Sequence, residues 1–245
     1  MKCSYGEIFK NKTKVMFVFA HPDDAELYSG GLIARLTSDK IEVRVVKVTG
    51  GDKGSRENII TQNELKNTRF KENKESMKVL GVSDKNSIYL DFEDGSVENN
   101  HETISKLAYQ IREFKPELIV THNPEDIFIR YDKNENWVNH RDHRNTAQSN
   151  IDASYPYSRD LLFFPEHLNE QGVTSHKVSE YLLVDYFDHP DMVYFNVSNY
   201  FDTKVKSLNC HKSQFSTERA NDIANFFAPI TNGKRYEGFR YVIAD

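Results

Sequence analysis

Two short stretches of this 245-residue chain concentrate side chains able to do chemistry. The first is His21-Pro22-Asp23-Asp24. Adjacent carboxylates repel each other, and setting them beside an imidazole at the end of an apolar run is costly without a compensating cation. One carboxylate and one imidazole suit a borderline metal such as Zn²⁺, leaving a second carboxylate to act on water. The plainer alternative is a helix cap, with Asp24 capping a helix that starts near Glu26 and Asp23 merely solvated. The second stretch is His140-Arg141-Asp142-His143. A spacing of three puts both histidines on one helix face, with Asp142 able to orient one imidazole. Its alternative is a solvated, polar helix start. Together the two stretches supply at least two imidazoles and a carboxylate, with acid/base groups to spare.

Composition narrows the chemistry to those residue types. The 2 cysteines, Cys3 and Cys210, make neither a disulfide framework nor a cysteine zinc site, so a metal here must be held by carboxylates and some of the 9 histidines. A net charge of −5, with both signs interspersed, argues against nucleic acid as the main ligand. The apolar run Val15–Ala20 is far too short to span a bilayer. Met1–Lys14 has no apolar signal core, so a cytoplasmic location is expected. The 16 Phe and 13 Tyr supply bulk for a packed core. No linker, repeat or low-complexity tract divides the chain, and residues 1–245 read as one domain.

The elements that must position these residues follow from periodicity. Lys14–Ala20 predicts a strand buried on both faces, stopped by the polar turn at Pro22. Glu26–Ser38 reads as a helix, with Gly30-Gly31 suited to close packing on a sheet. Val43–Val48 and Ser87–Leu90 predict two further strands. Between them Glu64–Leu80 forms a charged helix stopped by Gly81 as its C′ glycine. Ile104, Leu107, Ala108, Ile111 and Phe114 fall at helical spacing, Pro116 closes that helix, and Glu117–Thr121 begins a new strand. This alternation predicts an α/β fold with a mostly parallel sheet and helices on both faces. The C-terminal part is looser and loop-rich, with strands at Tyr181–Phe187 and Met192–Val197 and a helix at Asn199–His211. In an open parallel sheet, ligands bind beyond the carboxyl ends of the strands. His21–Asp24, the Thr49–Asn63 loop and the Asn123–His143 stretch all leave strands at that edge, and loops so long are disproportionately functional.

Ala20-His21-Pro22-Asp23-Asp24-Ala25-Glu26, followed by Gly30-Gly31, resembles the signature of the LmbE-like (PIG-L) family of N-acetylglucosaminyl deacetylases. His140-Arg141-Asp142-His143 is similar to that family's H-x-D-H element, and Arg69, Glu72, Leu80 and Gly81 resemble its following helix. Weaker likeness continues through Lys204, His211–Gln214 and Tyr236–Phe239. The resemblance implies a Rossmann-like fold and a zinc-dependent hydrolase that removes acetyl from amino sugars or their conjugates, often as a homo-oligomer. It implies His21, Asp24 and His143 as zinc ligands, with Fe²⁺ or another divalent ion as the alternative metal. Asp23 falls at the general base, and His140 at the group that polarises the carbonyl oxygen, oriented and held cationic by Asp142. Arg69 and Asp94 fall at substrate-binding positions. Two departures stand out: Arg141 replaces a frequent proline, and Val138 replaces a frequent tyrosine, leaving Tyr131 or Trp137 as neighbours of the pocket.

Such a mechanism is physically coherent, since three protein ligands leave an open position where water's pKa falls toward ~7. Two other readings stay open: a non-haem iron enzyme using the same His/Asp/His set, and a non-catalytic sugar-binding module. The remaining conspicuous residues read more plainly. His122 ends a strand and suits a pocket or supporting role, while His211 packs or hydrogen-bonds locally. His101, His167, His176 and His189 read as solvated. Gly50-Gly51-Asp52-Lys53-Gly54 lacks the spacing of a phosphate loop and reads as a flexible active-site loop. Phe226, Phe227, Tyr236, Phe239 and Tyr241 read as core or subunit interface rather than a sugar platform.

Overall fold

A computed structural model describes residues 4–56 and 60–244. Cys3, expected at the surface, and part of the Thr49–Asn63 loop lie outside the described residues. After a short helix α1 (Tyr5–Phe9), the chain alternates β1 (Lys14–Phe19), α2 (Asp24–Ser38), β2 (Glu42–Thr49), α3 (Gln62–Val79), β3 (Ser87–Phe92), α4 (His101–Phe114) and β4 (Leu118–Thr121). A two-residue hairpin, β5 (Phe128–Ile129) and β6 (Trp137–Val138), occupies the long loop before α5 (Arg141–Asp152). Then come β7 (Glu180–Leu183), β8 (Met192–Asn196), α6 (Phe201–Leu208), α7 (Thr217–Phe227), β9 (Ile230–Thr231) and β10 (Lys234–Ile243). The main sheet runs β3-β2-β1-β4-β7-β10-β8. It is parallel from β3 through β7, and β10 is antiparallel to both of its neighbours.

Strand β1 lies at the centre because nearly every residue in it is buried and its side chains feed both layers. Val15, Phe17 and Phe19 pack with Leu32 and Ile33 of α2, while Met16 and Val18 pack with Leu107 and Ile111 of α4. Each such burial is worth about 1.5–3 kcal/mol before the cost of ordering the chain. Helix α3 starts at Gln62, two residues before the expected Glu64, because Thr61 and Glu64 form a reciprocal capping box. Gly81 ends it at φ +79°.

The C-terminal part holds more regular structure than its sequence pattern suggests. β10 is the longest strand, yet Lys234, Arg235, Glu237 and Arg240 interrupt its alternation and Gly238 weakens it further. Helix α7 was not among the expected elements, although Ala220, Ile223, Ala224 and Phe227 fall at helical spacing. In contrast, β7 ends at Leu183, and the chain turns out of the sheet with Asp185 at φ +68°. The helix expected over Asn199–His211 is α6, shortened to Phe201–Leu208 behind a 3₁₀ turn.

Two buried polar clusters fix α2, which carries Asp24 at its start. Gly30 and Gly31 do not pack on the sheet as expected. A Cβ at Gly30 would lie 3.0 Å from Lys204 Cγ, and one at Gly31 would lie 2.7 Å from Val197 Cβ. Lys204 Nζ donates to Leu27 O (2.7 Å) and to Glu237 Oε1 (2.6 Å), and the Glu237 carboxylate accepts the N–H groups of Gly31 and Leu32. This fully buried ion pair is spliced into the backbone of α2 at its glycine pair. The second cluster lies one turn earlier. Glu26 Oε1 meets His211 Nε2 at 2.8 Å and accepts from Ser76 Oγ, while Asn73 Nδ2 donates to Pro22 O.

On the opposite layer, Arg112 of α4 is wholly buried. Its guanidinium donates to the carbonyls of Tyr157, Ser158, Asp160, Phe163 and Phe164. An irregular segment after α5 is thereby gathered onto one side chain.

Candidate metal centre and active site

The carboxyl end of β1 delivers His21, and α2 begins at Asp24. Asp24 does not cap a later helix: its Oδ2 folds back to accept the His21 backbone N–H at 2.8 Å. From the other side, the start of α5 delivers His140, Asp142 and His143. His21 Nδ1 lies 3.2 Å from His143 Nε2 and 3.4 Å from Asp24 Oδ2, and His143 Nε2 lies 3.4 Å from Asp24 Oδ1. Ligand atoms at the corners of a tetrahedron around Zn²⁺, each at about 2.0–2.1 Å, are separated by roughly 3.3–3.4 Å. The three groups therefore fit a divalent ion with one coordination position to spare. Burial and the nearby His122 charge push the His143 imidazole down to about 4, leaving it neutral, whereas Asp24, Asp142 and Asp94 outweigh burial and raise His21, so an ion at His21 Nδ1 would displace a proton there.

The outward edge of His21 is held by two acids. Its Nε2 lies 3.2 Å from Asp94 Oδ1 and 3.5 Å from Asp142 Oδ2. Burial alone would raise the Asp94 carboxyl, but its hydrogen bond to His21, that residue's charge and the Lys53 N–H carry it down to about 2. Asp142 also accepts the N–H groups of Gly95 and Val97. Its carboxylate is thus turned toward His21 rather than the His140 ring, which differs from the expected arrangement. What Asp142 gives His140 is its backbone N–H, donated to Nδ1 at 3.2 Å. Partial burial and the adjoining His21 charge lower the His140 pKa, so the ring is not held cationic as expected. In its neutral form the proton sits on Nε2.

Asp23 stands beside this trio, buried, with its Oδ1 accepting from Arg69 Nη2 at 2.7 Å. Arg69 is itself buried and donates from Nη1 to Gly51 O at 2.8 Å. A Cβ on Gly51, at φ +63°, would lie 2.2 Å from that Nη1. The glycine-rich loop therefore backs the arginine. Arg69 and Asp94, expected to face substrate, make their ion pairs with Asp23 and His21.

Four supporting residues were less legible. His122, at the end of β4, has no exposure and stacks flat on His143, with centroids 3.8 Å apart and planes at 8°. Asp185 faces His122 Nδ1 at 3.3 Å and accepts the Tyr131 hydroxyl at 2.5 Å, and Tyr131 in turn meets the Tyr28 hydroxyl at 3.1 Å. Asp185 was hidden inside the apolar run read as a strand. Val138, at the position of the frequent tyrosine, is 72% exposed on β6. Tyr28, Tyr131 and Asp185 also wall a cavity of about 410 Å³ whose other lining includes Tyr194, Phe226 and Tyr236. Phe226 and Tyr236 thus border a cavity, whereas Phe239 is core. The histidines expected to be solvated are partly engaged: His167 is buried against Arg112 and Ser105, and His176 Nε2 meets Pro116 O at 2.6 Å.

The profile of the PIG-L family, described as GlcNAc-PI de-N-acetylase, matches residues 16–154, more than half of the chain. The diacetylchitobiose deacetylase of Thermococcus kodakarensis is 25% identical over 249 residues, covering 97% of this chain and 86% of the relative. The solved N,N'-diacetylchitobiose deacetylase of Pyrococcus horikoshii, complexed with an inhibitor, superposes with a TM-score of 0.80 at 26% identity, covering 96% of this chain and 85% of its own. A 4-carboxy-2-hydroxymuconate hydratase of Pseudomonas putida shares the fold, with a TM-score of 0.74 at 18% identity over 95% of this chain and 97% of its own. The fold thus carries more than one reaction, and the site residues must decide between them. With its motifs, topology and matched profile in agreement, the chain belongs to the PIG-L, GlcNAc-PI de-N-acetylase family.

Proposed function

We propose that this chain is a zinc-dependent hydrolase that removes the N-acetyl group from an N-acetylglucosamine-type sugar or conjugate. The observation that carries this reading is the convergence of His21 Nδ1 and His143 Nε2, 3.2 Å apart, on the Asp24 carboxylate, whose Oδ2 lies 3.4 Å from the first and Oδ1 3.4 Å from the second. When bound, the ion supplies Lewis acidity, lowering the pKa of water and polarising the amide carbonyl. The chain's own residues do the rest. Asp23 is the general base: Arg69 holds Oδ1, and Oδ2 takes the proton of the attacking water. The same carboxyl then returns that proton to the leaving nitrogen, so amide and water give acetate and a free amine. His140, with Nδ1 occupied by the Asp142 N–H, presents Nε2–H to the developing oxyanion without needing a charge. Asp94 and Asp142 keep the His21 ring aimed.

The cavity beside the site has room for a second ring, and Asp185 is the one charged group in its lining. An uncharged sugar aglycone fits such walls better than an anionic one. Residues 1–245 act as one domain on this reading, since β10 from the C-terminal part completes the sheet that β1 begins. No helix among the described residues is long and apolar enough to cross a membrane, and a cytoplasmic setting accords with the sequence.

The test is acetate release from zinc-loaded protein given N-acetylglucosamine, N,N'-diacetylchitobiose and N-acetylglucosaminyl malate. Release is expected, with the neutral disaccharide ahead of the malate conjugate. No release from any of the three would overturn the assignment.

A further inference from the structure

His122 belongs neither to the trio nor to the groups that would touch substrate, yet it is fully enclosed at the site. It has no exposed surface, and both ring nitrogens face something specific. Nδ1 lies 3.3 Å from Asp185 Oδ2. Nε2 lies 3.3 Å from the Ala20 nitrogen and 3.2 Å from Asp24 Oδ2, and it is to the latter that an Nε2–H donates. Asp185, also buried, is fixed through its second oxygen by the Tyr131 hydroxyl at 2.5 Å. A chain of contacts therefore runs from a tyrosine on the cavity wall to the carboxylate of Asp24.

His122 could itself be taken for a ligand, because its nitrogen lies close to those of Asp24 and His143. Ring geometry argues otherwise. An imidazole donates its lone pair in the ring plane, and the planes of His122 and His143 are parallel within 8° with centroids 3.8 Å apart. An ion shared by two such rings would sit nearly 2 Å out of each plane, about the length of a Zn–N bond, and so almost perpendicular to both lone pairs. Only one of the two can serve, and His143 is the one whose nitrogen also lies 3.2 Å from His21 Nδ1.

We propose that His122, held by Asp185 and Tyr131, is a positioning residue that presets the Asp24 carboxylate and the His143 ring for the metal. Flat stacking fixes the plane of His143. Contact at Nε2 fixes the rotation of the Asp24 carboxylate, whose Oδ2 is already tied to the His21 N–H. Outer contacts of this kind commonly tune metal affinity by about 10–100-fold. The inference rests on the metal centre proposed above.

The test compares wild type, His122→Ala, Asp185→Asn and Tyr131→Phe by zinc affinity, measured against a competing chelator. The visible spectrum of the Co²⁺-substituted proteins and thermal melts of the metal-free proteins accompany it. Expected is one ion per chain throughout, with affinity about 10–100-fold weaker in His122→Ala, a smaller loss in Asp185→Asn and the least in Tyr131→Phe. The Co²⁺ spectrum should shift in the same order. If His122→Ala does not fold, Asp185→Asn and Tyr131→Phe carry the comparison. Affinity and spectrum matching wild type in the folded variants would overturn the inference, and so would complete loss of the ion in His122→Ala, which would make it a ligand. A wild-type chain that binds no zinc would instead overturn the metal-centre reading itself.

Discussion

The His21–Asp24 turn is gripped from two sides by what is nominally the same device, a buried histidine paired with a buried acid. On the sheet side His122 meets Asp185, and on the helical side His211 meets Glu26. All four are buried. In both pairs burial works against the imidazolium while carboxylates raise the histidine pKa, Asp24 ahead of Asp185 for His122 and Glu26 for His211. The pairs differ in what they grip. His122 reaches the Asp24 carboxylate and the His143 ring, which are side chains of the trio. The Glu26 cluster reaches backbone, through Asn73 to the carbonyl of Pro22, and joins α2, α3 and the turn after α6 in doing so. Similar chemistry thus divides its labour: one pair sets ligand orientation, and the other sets where the turn sits.

That division can be broken by experiment. The largest effect is expected from His143→Ala, which removes a member of the trio. Zinc affinity should fall well beyond the roughly 100-fold reached by outer-shell changes, taking activity with it. If chelator competition shows wild-type affinity, the ligand set is wrong. Next comes Asp23→Asn. Turnover should drop about 10²–10⁴-fold with zinc content intact, and a parallel fall in metal content would sink its assignment as base. His211→Ala should act in the complementary way. Removing one member of a buried pair costs about 1–3 kcal/mol, read as a lower urea midpoint, while zinc affinity stays within about twofold of wild type. A loss of affinity equal to that of His122→Ala would erase the distinction between the two grips.

The smallest effect is a pH dependence. The folded pKa of His211 lies above its ordinary value of 6.5 because Glu26 outweighs burial. The pair's stabilisation is therefore fully present below 6.5 and is lost as pH rises through the folded value. In urea unfolding of metal-free protein, the gap between wild type and His211→Ala should narrow above that pH. A gap that widens instead would show that the pair is held neutral.

Much of this was legible in the sequence. Lys14–Ala20 announced its strand by an unbroken apolar run, and the acids and imidazoles at 21–24 and 140–143 announced themselves by crowding. The supporting groups did not, for identifiable reasons. Asp185 sits in an apolar stretch, where nothing local reveals that the chain leaves the sheet at Leu183. Arg69 and Asp94 carry charges suited to substrate, and only the fold shows that Asp23 and His21 occupy them. The orientation of Asp142 depended on Gly95 and Val97 approaching from another loop. Such relations are long-range, and spacing along the chain does not encode them.

Arg112 bears on the timing of assembly. The carbonyls it collects span residues 157–164, a stretch with little regular hydrogen bonding of its own. That stretch cannot settle until α4 exists to present the guanidinium, so it should be a late passenger in folding and should come loose in one piece. Native-state hydrogen exchange would then report its protected amides opening together at a single rate, as a cooperative unit defined by one side chain rather than by a helix or a strand.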